Sequence, residues 1–239
     1  MNICIGIVSW LPDIPSARRM RIDRLNRLFK QIAELWPEIP VLVVAQNWKD
    51  YTPSENLNFV IDKYNRLGIL KARQQLRENF LAGGYDYIIM FDDDAIIQCD
   101  NDHAHLDYIK CIEEHPNGFS FIHGKGSSPF TPYADSQLNL CAISKEIYEK
   151  VPMPNVDPQL SQAFEDRLFS TYLHCALPEK EFEFPTTIRC IHFKNPNEPA
   201  PSTWSQEKQY NWKKMRENTR SIEYYISIHK AFPNFKVYF

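Results

Sequence analysis

The sequence predicts an α/β fold, a mostly parallel sheet with helices on both faces. Three observations carry that expectation. Short apolar runs rich in β-branched residues, such as Ile3-Cys4-Ile5-Gly6-Ile7-Val8 and Pro40-Val41-Leu42-Val43-Val44-Ala45, read as strands buried on both faces. Between such runs, apolar residues recur at helical spacing. The apolar run Ile88-Ile89-Met90-Phe91 leads directly into Asp92-Asp93-Asp94, which puts three carboxylates at the end of a core strand. Alternation of strand and helix builds parallel sheets, because a parallel return needs a crossover.

Residues 3–8 read as the first strand, and a loop from Ser9 to Ser16 with two prolines follows. Ala17 to Leu35 keeps a helical period through Ile22, Leu25, Leu28, Phe29, Ile32 and Leu35, and Trp36-Pro37 stops it. Residues 40–45 form the second strand and Leu57 to Ile61 a short third. A helix over Ile69 to Leu81 ends at Gly83-Gly84. Tyr85 to Phe91 is then the strand that carries the acidic run, with further apolar residues after it. In the second half, helices are expected over His105 to His115, Lys145 to Lys150 and Ser161 to Cys175. Strands are expected over Phe119 to Ile122, Leu138 to Ile143 and Thr187 to Phe193. Gly124 to Asp135 and the proline-rich Pro152 to Pro158 read as loops, Asn195 to Ser202 as a lid-like loop, and Trp204 to Ile228 as a polar, aromatic helical tail.

The 239 residues suffice for one large domain or two small ones, and 44% hydrophobic content allows a sizeable core. A net charge of -3 gives no electrostatic case for nucleic acid or anionic lipid. No apolar run approaches the length of a membrane span, and the N-terminus reads as a core strand without a signal peptide. A protein without a transmembrane segment is expected, with peripheral membrane attachment left open. Cys4, Cys99, Cys111, Cys141, Cys175 and Cys190 form no C-x-x-C pair, which argues against a zinc knuckle and fits a reducing cytoplasm. The glycines form neither G-x-G-x-x-G nor a P-loop, and no G-x-S-x-G elbow is present.

The Asp triplet is the principal candidate site. Open α/β sheets bind ligands at the carboxyl ends of their strands. Adjacent carboxylates repel, and unpaired ions are costly to bury, so a divalent cation would resolve the cost. On an extended chain residues i and i+2 share a side, which lets Asp92 and Asp94 face one ligand with Asp93 turned away. A solvated acidic turn is the alternative, since Asp is common in loops and caps.

The segment Asn65-Arg66-Leu67-Gly68 followed by Ala72-Arg73 on a helix, Gly83-Gly84-Tyr85-Asp86-Tyr87, and the strand ending in Asp92-Asp93-Asp94 resembles GT-A glycosyltransferases, and most of all the large family 2 type. The resemblance covers roughly residues 1–195. It implies the GT-A fold, a Rossmann-like βαβ mixed sheet, here as a single domain. Residues 1–100 would form the nucleotide-sugar half, 101–195 the acceptor half, and 196–239 a C-terminal loop and helical tail. It also implies a metal-dependent transferase that moves a sugar from a nucleotide diphosphate donor, expected to be UDP-linked, to a hydroxyl of a glycan or lipid-linked acceptor.

Carried over residue by residue, Asp92 faces the nucleotide and Asp94 binds the metal. Asp92 and late His192 complete the metal set, with manganese or magnesium as cofactor. Arg73 approaches the nucleotide or its diphosphate, Asp93 lies among these contacts, Ser9 belongs to the base-binding loop, and Lys194 could reach phosphate. Phe164-Glu165-Asp166 resembles the xED motif. That makes Asp166 the general base of an inverting reaction and Glu165 its acceptor-binding neighbour. Each has a plainer reading: a solvated helix face for Glu165 and Asp166, a strand-end histidine for His192, solvent-facing arginines for Arg18, Arg19 and Arg21. The tail aromatics Trp204, Tyr210, Trp212, Tyr224 and Tyr225 could stack on acceptor sugar or simply pack. The family usually places an acidic residue near the base after the second strand. Ala45-Gln46-Asn47 stands there instead, and an amide can also pair with a uracil edge.

Two rival readings remain. A haloacid dehalogenase-type phosphatase also uses Asp-x-Asp after an apolar strand, but on its first strand and with Thr or Val where Ile96 stands. A non-catalytic sugar- or nucleotide-binding protein of the same fold would not need Asp92, Asp94 and Asp166 together.

Overall fold

The computed structural model describes residues 1–121, 139–154, 165–192, 228–230 and 232–233. In chain order its elements are β1 (Ile3–Trp10), α1 (Pro15–Leu35), β2 (Val41–Gln46), β3 (Phe59–Tyr64), α2 (Ile69–Ala82), β4 (Tyr87–Asp92) and β5 (Ala95–Cys99). They continue with α3 (Ala104–Glu114), β6 (Phe119–Ser120), β7 (Cys141–Ser144), α4 (Lys145–Lys150), α5 (Glu165–Ala176) and β8 (Ile188–His192). The chain divides into two compact units. The first holds 1–122, 138–152 and 182–193; the second holds 123–137, 153–181 and 194–239.

The first unit is built on a six-stranded sheet in the order β3-β2-β1-β4-β7-β6. β1 pairs in parallel with β2 and with β4, and β2 in parallel with β3. β7 runs antiparallel to both β4 and β6. The mixed α/β sheet expected from the sequence is therefore present. β5 and β8 form a separate antiparallel pair, with Ala95 opposite His192.

Residue alternation along the strands sorts the two helical faces. Ile5 and Ile7 of β1 and Ile89 and Phe91 of β4 join one core with Leu25, Leu28, Phe29 and Ile32 of α1. The intervening residues turn to the other face, where a Cβ on Gly6 would lie 2.5 Å from Ile88 Cδ1 and 3.0 Å from Leu76 Cδ2 of α2. The bare glycine lets α2 close on the sheet.

Several boundaries move relative to the sequence expectation. α1 starts at Pro15, earlier than Ala17, because proline is accommodated in the first helical turn, where its missing N–H has no partner to lose. β3 lies later than Leu57 to Ile61, since its register with β2 carries it to Tyr64 opposite Gln46. α2 keeps its expected start at Ile69, after Gly68, whose φ of 80° only glycine adopts without strain, and ends at Ala82. β5 is a strand the sequence reading did not assign.

In the second unit, α5 is followed by a short 3-10 turn at Pro178–Lys180. Inside that unit His174 Nδ1 and Glu181 Oε2 lie 2.5 Å apart, and Tyr172 stacks on Phe232 at 4.1 Å. The loops at 124–135 and 195–202 and the tail at 204–227 lie outside the described residues. Among the described residues no helix is long and apolar enough to cross a membrane.

Candidate functional site

The strand order makes β1 and β4 neighbours although the chain runs through β2 and β3 between them. Chain progress reverses at this point, and α/β sheets bind ligands in the crevice that such a reversal opens beyond the strand ends. Asp92, the last residue of β4, stands opposite Val8 of β1. Asp93 and Asp94 then form the turn into β5.

Each carboxylate meets arginine. Asp92 Oδ1 accepts from Arg73 Nη2 on α2 at 3.1 Å. Asp93 Oδ1 accepts from Arg21 Nη1 on α1 at 2.6 Å. Its Oδ2 accepts from the Ser9 hydroxyl at 2.9 Å and the Trp10 backbone N–H at 3.3 Å. Trp48 Nε1 donates in turn to Ser9 Oγ at 3.2 Å. Asp94 Oδ2 lies 3.6 Å from Nη1 of both Arg21 and Arg24. Burial pushes the Asp93 carboxyl above its ordinary value; Arg21 opposes that shift, Asp94 adds to it, and the Ser9 and Trp10 donors oppose it.

The expected sharing of one side by Asp92 and Asp94 is not what these contacts give. Strand alternation holds through Asp92, which turns toward α2, and it stops where the turn begins at Asp93. Asp93 and Asp94 both engage α1. Asp93 is buried among its donors Arg21, Ser9 and Trp10, on the same side as Asp94. Ser9, expected in a base-binding loop, is 1% exposed and braces Asp93 with its hydroxyl. Gln46 and Asn47 are braces as well. Gln46 Oε1 accepts from the Leu67 and Gly68 N–H groups at 2.8 and 3.0 Å, which fixes the turn before α2. Asn47 Nδ2 donates to Leu11 O at 2.7 Å and Asp13 Oδ1 at 2.9 Å.

Arg24 and Asn139 were missed in the sequence. Arg24 belongs to the buried stripe of α1 with Leu25, Leu28, Phe29 and Ile32, and Arg73 to that of α2 with Ala72, Leu76 and Phe80. A charged residue at a core-facing helical position was the available signal, because such a charge requires a buried partner. Asn139 carried no such signal. Its Oδ1 accepts from the Asp92 N–H at 3.3 Å and from Cys190 Sγ at 3.2 Å, and so holds the end of β4.

The backbone of His192 ends β8 opposite Ala95, the residue after Asp94. Its side chain lies outside the described residues, as do all of Lys194 and the side chains of Glu165 and Asp166, which open α5 in the second unit. Among the described residues, no group of three or more His, Cys, Asp and Glu side chains is placed to hold a metal. Asp92 and Asp94 nevertheless suit a hard divalent cation as oxygen donors. Their side chains are 28% and 21% exposed, and the arginines beside them supply the positive charge that this strand end demands.

Fold and site together define an α/β protein with an acidic strand end, met by arginines, at the reversal of its sheet. No protein-family model and no curated protein sequence matches the chain. Among solved structures it is similar to a proposed glucose-1-phosphate thymidylyltransferase from Bacillus anthracis, with 11% identity, 92% of this chain and 96% of that chain covered, and a TM-score of 0.46. It is similar also to A197 from STIV, with 13% identity, coverage of 82% and 87%, and a TM-score of 0.45. A third similar structure is a glycosyltransferase involved in the glycosylation of the major capsid of PBCV-1, with 13% identity, coverage of 76% and 72%, and a TM-score of 0.35.

Proposed function

We propose that this chain is a GT-A-type glycosyltransferase. It takes a sugar from a nucleotide diphosphate donor, with UDP as the favoured carrier, and transfers it to a hydroxyl of a glycan or lipid-linked acceptor. One observation carries the reading: three carboxylates end β4 beside β1 at the reversal of the sheet, with arginines from α1 and α2 converging on them. A diphosphate leaving group has to accept negative charge as the glycosidic bond breaks, and the arginines gathered at this strand end suit that charge.

In this reading Arg73 steadies the diphosphate from the α2 side and Asp92 orients the ribose. Asp92, Asp94 and His192 would hold manganese or magnesium. Such an ion supplies charge stabilisation to the departing diphosphate when it is bound. Asp166 takes the proton from the acceptor hydroxyl, Glu165 binds the acceptor beside it, and Lys194 contacts phosphate. A base on the face opposite the leaving group makes the reaction inverting. The binding chemistry requires no nucleic acid and no membrane-spanning segment.

The test is turnover. The protein is incubated with UDP-, GDP- and CDP-sugars and manganese, and release of the nucleoside diphosphate is measured with and without a panel of glycan and lipid-linked acceptors. Release from one donor class, accelerated by an acceptor, supports the proposal. No release from any donor contradicts it.

A further inference from the structure

The pairing of Arg24 with Asp94 has a consequence for how ligands enter the proposed donor site. Arg24 sits within α1, on its core-facing stripe, with a side chain only 8% exposed. A guanidinium in that position is costly to desolvate and calls for an anionic partner. Asp94 provides one at 3.6 Å. Arg21, one turn earlier, also lies 3.6 Å from Asp94, but its closest bond is to another carboxylate. Its Nη1 makes a 2.6 Å bond to Asp93, and that carboxylate is itself fixed by Ser9 and the Trp10 N–H. Arg73 makes its bond to Asp92. Among the described contacts each of the three carboxylates therefore meets a guanidinium, and Asp94 meets two.

Either proposed ligand alone works against these pairs. A divalent cation at Asp92 and Asp94 adds positive charge beside three guanidiniums. A diphosphate alone brings negative charge against three carboxylates. Arriving together, the cation takes Asp92 and Asp94 and the diphosphate takes Arg24 and Arg73, so opposite charges stay paired.

We infer that Arg24 exchanges partners on donor binding: it leaves Asp94 to the cation and turns to the donor's diphosphate. Arg21 stays on Asp93 and keeps the turn in place during the exchange. The inference rests on the donor reading and goes beyond it. It makes cation and nucleotide binding mutually dependent, and by linkage the effect of each on the other is equal.

The experiment is titration calorimetry of the full chain with manganese alone, UDP alone, and each in the presence of the other. It is run on the wild type, Arg24→Gln and Arg24→Lys, with a thermal melt of every variant. The wild type is expected to bind each ligand about tenfold or more tightly when the other is present. Arg24→Gln removes one of the two guanidiniums beside Asp94, so manganese alone binds about tenfold more tightly, while UDP in the presence of manganese binds about tenfold more weakly. Arg24→Lys keeps the charge without the planar fork. It binds manganese alone like the wild type and UDP with intermediate affinity.

A residue that merely supports the fold would weaken both ligands together. The inference is overturned if manganese binds folded Arg24→Gln no more tightly than the wild type, or if manganese and UDP bind the wild type independently. Should Arg24→Gln not fold, the wild-type coupling and Arg24→Lys still decide. Absence of binding by UDP, GDP and CDP under every condition strikes the donor reading instead, and the manganese-only comparison still reports on the Arg24–Asp94 pair.

Discussion

Asp93 and Asp92 are neighbours with opposite duties. Three donors from β1 and α1 close around Asp93, and its side chain is 12% exposed. Replacing it with asparagine removes the buried charge on which the Ser9 hydroxyl, the Trp10 N–H and the Arg21 guanidinium converge. We predict that Asp93→Asn lowers stability by about 2–4 kcal/mol in urea unfolding. Asp92 is more open and its partner Arg73 has a second role in the proposed site. Asp92→Ala takes this partner from the buried Arg73 guanidinium and is predicted to cost about 2–4 kcal/mol in stability while abolishing cation-dependent nucleotide binding, both read from the same purified, folded variant. At this scale the sequence announced the acidic run and Arg73, because a charge after an apolar run or within an apolar helical stripe conflicts with its surroundings. It did not announce which way each carboxylate turns. The change from strand to turn at Asp93 has neither glycine nor asparagine to mark it, so alternation was carried two residues too far.

At the scale of elements, the site depends on how closely α2 approaches β1. Gly6 is the contact point, and Leu76 on α2 lies one turn beyond Arg73. A methyl at Gly6 meets Ile88 and Leu76 inside van der Waals distance. Gly6→Ala is predicted to cost about 1–3 kcal/mol by overpacking, measured by urea unfolding, and to weaken nucleotide binding because Arg73 shifts with the helix. The strands β1, β2 and β4 and the helices α1, α2, α3 and α4 were legible from apolar periodicity and from their proline and glycine stops. β5 was not. It is five residues long, follows the acidic turn directly, and finds its partner in β8, about ninety residues later in the chain. The antiparallel direction of β7 also depends on long-range pairing, which no local pattern encodes.

At the scale of the whole molecule, the proposed roles fall in different units: Asp92, Asp93 and Asp94 belong to the first and Asp166 to the second. That division predicts separable defects. Asp166→Asn is expected to retain nucleotide binding within about twofold of the wild type while lowering transfer by about a hundredfold or more, the usual size of a lost general base. Calorimetry and a transfer assay on the same preparation check both halves. The central claim is that the strand end at β4 is a nucleotide diphosphate site. Its most direct test is a calorimetric titration of the full chain with UDP, GDP and CDP, each with and without manganese. The account predicts saturable binding of one nucleotide, UDP first among them, that requires the cation and disappears in Asp92→Ala. Absence of binding to all three, or binding that Asp92→Ala leaves intact, would contradict it.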